Sequence, residues 1–382
     1  MAQDVVVIGA GIAGLATAVA LQRRGHTVTV LEQRADTSPG AGISIWPNAL
    51  AALDTMDLGD AVRDAGGRVT AGAVRWRDGT WLRRPAGERM VTALGEPLVV
   101  VRRAALRDVL TAALRPGTVR YETAATAVRT TESGVEIETT GGDTLRGDAV
   151  VGADGIGSMV ARHLNGPLPL RYAGYTAWRG VADCVIDPDL SGETMGAGLE
   201  VGHVPLGPDR TYWFATERLP EGHRSPQGES SYLRERFAGW ADPVPALLAS
   251  TPEEALLRND LHDRATACRW AHGNVVLIGD AAHPMRPHLG QGGCQGIEDA
   301  AVLAHLLDRA PDPATAFARF EAFRRPRVRS LVRTSRMIGR VVNLRPAALS
   351  ALATRATVLV PEAVLHRQLR RVAARSAFAL PA

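Results

Sequence analysis

The apolar pattern opens with a short continuous run at residues 4–8 (DVVVI), followed by Ile12, Leu15, Ala16, Val19 and Ala20 at i, i+3, i+4, i+7 and i+8. The run reads as a buried strand, and the spacing predicts a helix over 12–24, closed by Gly25. Residues 26–32 (HTVTVLE) predict a second strand. A strand, helix, strand opening of this kind produces a parallel sheet. A further helix is expected over 48–56. The period then changes. Residues 68–77 and 80–83 flank Asp78-Gly79 and predict a hairpin, because Asp-Gly suits a type I′ turn. A second hairpin is expected over 134–147 around Gly141-Gly142. Continuous apolar runs return at 148–152 and 275–278 and predict buried strands. From about 170 to 217, Tyr, Trp, Thr and Val alternate, ending in Arg210-Thr-Tyr-Trp-Phe-Ala-Thr216. That stretch predicts an antiparallel sheet distinct from the parallel one. A helix is expected over about 295–309, and helices continue onward with breaks at Pro346 and Pro361.

The expected fold class is therefore α/β. A Rossmann-like parallel sheet is assembled from separated pieces, 1–70, 98–170 and 268–340. A β-rich antiparallel substrate domain, 71–97 and 171–267, is inserted between them, and 341–382 forms a C-terminal helical segment. A length of 382 residues suits two joined domains.

Composition narrows the chemistry. Hydrophobic residues make up 46% and charged residues 22%, as in ordinary globular proteins. The N-terminal apolar run lacks a cationic flank and is too short for a signal peptide or a span, so a cytoplasmic enzyme with no integral membrane segment is expected. Cys184, Cys268 and Cys294 are widely spaced, which argues against a disulfide framework or a metal site. All 44 basic residues are arginine. Without lysine there is no Schiff base and no Walker-type phosphate loop. Fourteen arginines between Arg319 and Arg375 face only Glu321 and Glu362, in a chain of net charge +4. Such a block attracts nucleic acid or anionic lipid, or forms a solvated helical face. Its helical spacing favours the solvated face, and no nucleic acid partner is expected. A monomer or a homodimer is equally compatible with it.

The first motif is Gly9-x-Gly11-x-x-Gly14, directly after a strand and opening a helix. Gly9 permits the tight turn, Gly11 lets the backbone approach a pyrophosphate, and Gly14 allows close helix–strand packing. The phosphates then meet free N–H groups at the helix N-terminus. Glu32 ends the next strand, where a carboxylate accepts from an adenosine ribose. Ala13 in the turn, and Gln33 and Arg34 after Glu32, belong to the same expected dinucleotide site. The acid disfavours a 2′-phosphate but does not separate NAD from FAD.

Two further motifs follow: Val150-Val-Gly152-Ala-Asp154-Gly155-Ile-Gly-Ser158, and Leu277-Ile-Gly279-Asp280 leading through His283 and Pro287-His288-Leu289 to Gly290-Gln-Gly292-Gly293-Cys294 and Glu298-Asp299. The three in order resemble the single-component FAD-dependent monooxygenases, the family of para-hydroxybenzoate hydroxylase. The segment 290–299 and Tyr175-Thr-Ala-Trp178-Arg179-Gly180 most resemble its branch of zeaxanthin epoxidase, salicylate hydroxylase and bacterial urate hydroxylase. The likeness runs to about residue 340.

The resemblance implies FAD as cofactor, with NADH or NADPH as a transient reductant. It implies that Asp280 holds the ribityl chain, that Asp154 contacts both FAD and the nicotinamide cofactor, and that Gly290, Gly292, Gly293 and Cys294 run past the pyrimidine edge of the flavin. There, backbone N–H groups and a helix N-terminus stabilise reduced flavin. Arg103 would reach FAD, and Gly42, Ile43 and Ser44 would line the ring. Cys294, at a helix start, would have a lowered pKa if the dipole dominates; otherwise it is a small packing residue. One departure stands out: the arginine that commonly follows Val160 directly comes one position later, as Arg162, which bears on nicotinamide docking.

The implied reaction is hydroxylation of a small electron-rich aromatic or heteroaromatic substrate by O2 through a C4a-hydroperoxyflavin. Epoxidation or oxidative cyclisation on the same fold is the alternative, and secondary metabolism the expected setting. Near the reacting edge the resemblance places Pro287 and His288. His288 is a candidate to take a proton from a phenol, enol or ring N–H, or else packs within its loop. His283 is read as structural. Arg210 and Tyr212 alternate on the predicted strand and would share a face. Arg210 would clamp a carboxylate or carbonyl, or else form a surface ion pair. Trp46, Trp178, Trp213 and Phe214 would wall an aromatic pocket, or simply fill cores.

Overall fold

The computed structural model describes residues 2–35, 41–84, 87–132 and 134–382. Strand Asp4–Ile8 lies inside a six-stranded sheet ordered Ala271–His272, Val275–Leu277, Ala149–Gly152, Asp4–Ile8, Thr27–Leu31, Val119–Arg120. Every neighbouring pair is parallel except the first. Val5, Val6, Val7, Val150, Val151 and Val276 are all buried, because helices cover both faces. This explains why these strands read as continuous apolar runs.

The second sheet has seven strands, ordered Leu257–Asp263, Arg171–Ala182, Thr211–Glu217, Leu199–Pro205, Gly192–Gly196, Ala73–Trp76, Trp81–Arg83. Here the side chains alternate. Trp178, Val201 and Trp213 turn outward into a core with Leu233, Phe237, Leu247 and Leu248 of two short helices. Arg179, Gly202 and Phe214 share a register position, as do Ala177, Glu200 and Thr216, and these turn the other way, toward the six-stranded sheet. A three-stranded sheet, Gly42–Ile45, Leu98–Arg102 and Gly67–Val69, joins the two layers.

The Asp78-Gly79 hairpin forms, but only from Ala73–Trp76 and Trp81–Arg83. Residues 67–69 leave it and pair with Leu98–Arg102 instead. The second hairpin, Gly134–Thr139 with Thr144–Gly147, turns at Gly142 in the left-handed region.

The helix Gly292–Arg309 packs against the first helix, Ile12–Gln22, and the 30-residue helix Pro313–Val342 packs against it in turn. Their junction is ionic. Arg324, 1% exposed, donates from Nε to Asp299 Oδ1 at 2.7 Å and from Nη1 to Glu298. Arg327 adds two bonds to Glu298, at 3.0 and 2.8 Å. Arg336 pairs with Asp263 and Arg375 with Asp54 and Glu96. The arginine block is therefore only partly a solvated face: several of its members are internal counter-ions. Burial alone would raise the Asp299 carboxyl, but His283 and Arg324 beside it hold it down at about 2.

Removing one partner leaves buried charge uncompensated. Arg324→Met should lower unfolding free energy by about 3–5 kcal/mol in urea melts. The exposed Arg340→Ala on the same helix should stay within about 0.5 kcal/mol of wild type.

Candidate active site

The three glycine-containing motifs meet at one point. Gly9 sits at φ +105°, and a Cβ there would lie 2.5 Å from the Ala153 carbonyl oxygen. At Gly14 a Cβ would lie 1.9 Å from Gly9 O. Turn and helix close only because both side chains are absent. The Ala13 methyl packs where Gly279 and Gly296 approach; a Cβ on either would come within 3.0 and 2.8 Å of it. Thus the Gly9–Gly14 turn, the Ala153–Asp154 turn and the Gly279–Asp280 turn enclose one end of a cavity of about 600 Å³.

Gly11, Ala13, Gly42, Ile43, Ser44, Arg103, Gly279, Asp280, Gly290, Gly292 and Gly293 all border this cavity. Gly9 and Gly14 support it from behind. Arg103, rather than its neighbour Arg102, reaches the wall. The Asp280 carboxylate has no hydrogen-bond partner among the described residues. Surrounding protein raises its pKa, and the charges of His283, Arg103 and Arg264 oppose that rise.

Other expected residues sit differently. Glu32 accepts from the Ala10 N–H at 2.9 Å and the Arg34 N–H at 3.0 Å, at the strand end beyond the cavity wall; Gln33 and Arg34 are exposed there. The Asp154 carboxylate faces the helix Met159–Asn165, accepting from Ser158 Oγ, Met159 N and Val160 N at 2.5, 2.7 and 3.2 Å. It organises the turn, while Ala153 and Gly155 border the cavity. The shifted Arg162 donates to Gly157 O at 2.6 Å. Cys294 is fully buried behind the wall, against Trp46 N and Ser44 O, and burial pushes its thiol up to about 12. Desolvation overrides the helix dipole, so this is a packing residue. His283 is also internal, with Nε2 2.6 Å from Asp299.

The far end of the cavity is made by the seven-stranded sheet. Pro287 and His288 enter it from a short 3-10 turn, pinned to the long helix by Ser335 Oγ donating to Arg286 O. The His288 side chain is 2% exposed, with Nε2 3.1 Å from the Tyr175 hydroxyl and Nδ1 3.7 Å from Glu200. A Cβ on Gly339 would lie 2.6 Å from Nε2, so the glycine makes the space for this ring. Tyr212 lies with its ring against Gly42, where a Cβ would come within 2.5 Å of Cγ. Arg210 is elsewhere: its Nε pairs with Asp183 at 3.0 Å with 39% of the side chain exposed. It belongs to the hairpin loop before strand Thr211–Glu217, where Leu206 N bonds Arg210 O, so strand alternation does not extend to it. Trp178 and Trp213 face the outer core, whereas Trp46 and Phe214 do border the cavity.

Sequence reasoning missed Glu193, Glu200, Arg179 and Thr216, which all face this end. Thr216 Oγ1 lies 3.4 Å from Glu200 Oε2. Burial, and then the charge of Glu200, push the Glu193 carboxyl up to about 8. The signal available was a glutamate on the inward-facing set of an alternating strand.

This geometry fits a dinucleotide with an isoalloxazine ring. Two helix N-termini, at Ile12 and Gly292, point into the cradle, and the free Asp280 carboxylate is an acceptor for ribityl hydroxyls. The chain matches the family model described as FAD binding domain over residues 2–335. It belongs to this family of FAD-dependent monooxygenases. The monooxygenase is 38% identical over 341 residues to aurachin C monooxygenase/isomerase of Stigmatella aurantiaca, covering 88% of this chain and 89% of that one. It is 38% identical over 356 residues to 3-amino-4-hydroxybenzoate 2-monooxygenase PtmB3 of Streptomyces platensis, covering 89% and 88%. Its fold matches Klebsiella pneumoniae HpxO, solved with FAD and uric acid, at a TM-score of 0.90 and 30% identity, covering 97% and 96% of the two chains. FAD is the cofactor of this monooxygenase. No single helix among its described residues is long and apolar enough to cross a membrane.

Gly11 offers a clean test of the cradle. Its φ of −70° suits any residue, and a Cβ there meets nothing within 4 Å. Gly11→Val should leave the apoprotein within about 0.5 kcal/mol of wild type in thermal melts. Its FAD affinity, read by titration of flavin fluorescence, should fall by more than about tenfold, or 1.4 kcal/mol.

Proposed function

We propose that this monooxygenase hydroxylates a small electron-rich aromatic or heteroaromatic molecule, using NADH or NADPH and O2 in the cytoplasm. One observation carries the reading: the cradle continues without a partition into a space walled by Trp46, Tyr212 and Phe214 that also holds His288, Glu193 and Glu200. Bound FAD supplies the redox chemistry and the activation of O2. The chain's own residues position the ring, exclude water and manage protons.

Deprotonating a phenol, enol or ring N–H makes the ring a better nucleophile toward an electrophilic oxygen. Burial holds the Tyr175 hydroxyl well above the ordinary phenol range, so it stays protonated. In the tautomer that gives Nε2–H to the Tyr175 oxygen, Nδ1 is left free to accept a proton. A proton taken there makes an imidazolium that Glu200, 3.7 Å away, stabilises. Glu193, raised to about 8, keeps its proton near neutrality and donates to a substrate oxygen or ring nitrogen. Arg179, which donates to Asn259 at 3.0 Å, supplies positive charge on the same sheet face as Tyr212.

The central experiment measures NADH and NADPH oxidation with and without candidate aromatic compounds, and 18O incorporation from labelled O2. Acceleration by substrate with one 18O in the product is expected; no oxygenated product from any compound would end the proposal. His288→Asn should keep its FAD and lose about 10²- to 10⁴-fold in kcat. The pH dependence has a defined sign. Glu193 is protonated below about 8, so substrate affinity should weaken as pH rises through that value. Glu193→Gln, which keeps a donor at every pH, should remove that limb.

A further inference from the structure

Beside the flavin cavity lies a second, larger one of about 1010 Å³. The two share Trp46, Gly72, Val74, Met90, Glu193 and Leu289, so these residues form the neck at which the cavities adjoin. Beyond these residues the lining divides into a charged side, with Arg83, Arg84, Glu88, Arg89, Glu362 and His366, and an apolar side. Leu82 contributes from the hairpin, Ile338 from the long helix, and Leu365, Leu369 and Val372 from helix Glu362–Ala373. Those three are spaced i, i+4, i+7 and form one stripe of that helix.

Charged groups at the outer mouth are already engaged. Arg83 Nη2 donates to the carbonyls of Thr357 and Val360, Arg89 pairs with Glu362 at 3.2 Å, and Arg84 lies over the Trp81 ring. The mouth therefore offers little to an anionic ligand. The chamber instead matches an apolar chain attached to whatever sits at the flavin.

We infer that the substrate is an aromatic head carrying a long apolar tail, with the head beside His288 and Glu193 and the tail running past Gly72 along the apolar side of the chamber, lined by helix Glu362–Ala373. This rests on the flavin cavity being the hydroxylation site. It adds a second subsite that selects for chain length. Gly72 lines both cavities. A Cβ there meets only the flexible Met90 Sδ, at 3.1 Å, so a larger residue is accommodated by the fold while obstructing the neck. Each methylene moved from water into such a lining improves binding by up to roughly fourfold.

The test uses FAD-loaded enzyme and 4-alkylresorcinols with ethyl, butyl, hexyl and octyl chains, with Kd read from the perturbation of flavin absorbance. Affinity should rise by at least about tenfold from ethyl to hexyl. Gly72→Val, which obstructs the neck, and Leu369→Trp, which fills the chamber from the other side, should each abolish that gain, and Leu369→Trp, outside the flavin cavity, should leave the ethyl compound's Kd unchanged. Affinity independent of chain length, a gain that survives both substitutions, or no binding by any member overturns the inference. The two readings separate in the same samples. Ethylresorcinol hydroxylated without any chain-length effect would retain the hydroxylation reading and remove the tail chamber. A chain-length effect without oxygenated product would do the reverse.

Discussion

The cluster of Glu298, Asp299 and Arg324 is the constraint on which the rest of the molecule hangs. Asp299 accepts from the Gly279 N–H at 2.9 Å, from His283 and from Arg324. Glu298 accepts from Asn48, Gln295, Arg324 and Arg327. One pair of adjacent carboxylates thus ties together the Gly279–Asp280 turn, helix Pro47–Asp54, which carries Asn48, and the long arginine-rich helix. Desolvating these ions costs several kcal/mol each, and only the full set of partners offsets it. The arrangement tolerates little deviation, which is what a cofactor site assembled from distant segments requires.

The consequences run toward the flavin. Because Asp299 holds Gly279, the Asp280 carboxylate is left pointing into open cavity with its bonds unmade. Because Glu298 fixes the second turn of its helix, the N-terminus at Gly292 and Gly293 is presented at the cavity wall. An uncompensated helix N-terminus is a standing positive potential, suited to the charge that collects on a reduced flavin. The long helix, held by the same arginines, carries Ser335 and Gly339 to the loop that bears His288. A single ionic junction therefore positions the cofactor end and the loop that bears His288 together.

Much of the cofactor site was legible because it depends on backbone geometry. A left-handed turn at Gly9 and close approach at Gly14 and Gly279 admit few residue types, so their spacing carries information. Asp154 was legible as a motif, yet its carboxylate is spent capping a helix, a local role that spacing cannot distinguish from a ligand contact. The parallel strands were legible from their unbroken valines. The substrate side was not, because it is formed by strands that pair across the chain. Glu193 and Glu200 meet only through the register of Gly192–Gly196 with Leu199–Pro205. Alternation does identify which residues share a face, but only within a strand. Arg210 lies one residue outside its strand, and there Asp183 claims it.

A cation directly beside Glu193 would pull its carboxyl down and leave a fixed negative charge facing the ring. Here the nearest carboxylate, Glu200, acts in the opposite direction and helps to keep Glu193 protonated. In the proposed reaction two acids on one sheet face divide into a donor and a counter-ion, and both line the cavity together with His288. The division needs no third catalytic group, because enclosure by the sheet and Glu200 itself set it. On the proposed reading an aromatic substrate beside the flavin meets one neutral acid, one imidazole and one buried charge, and the loop that carries the imidazole is pinned to the helix that the ionic junction holds.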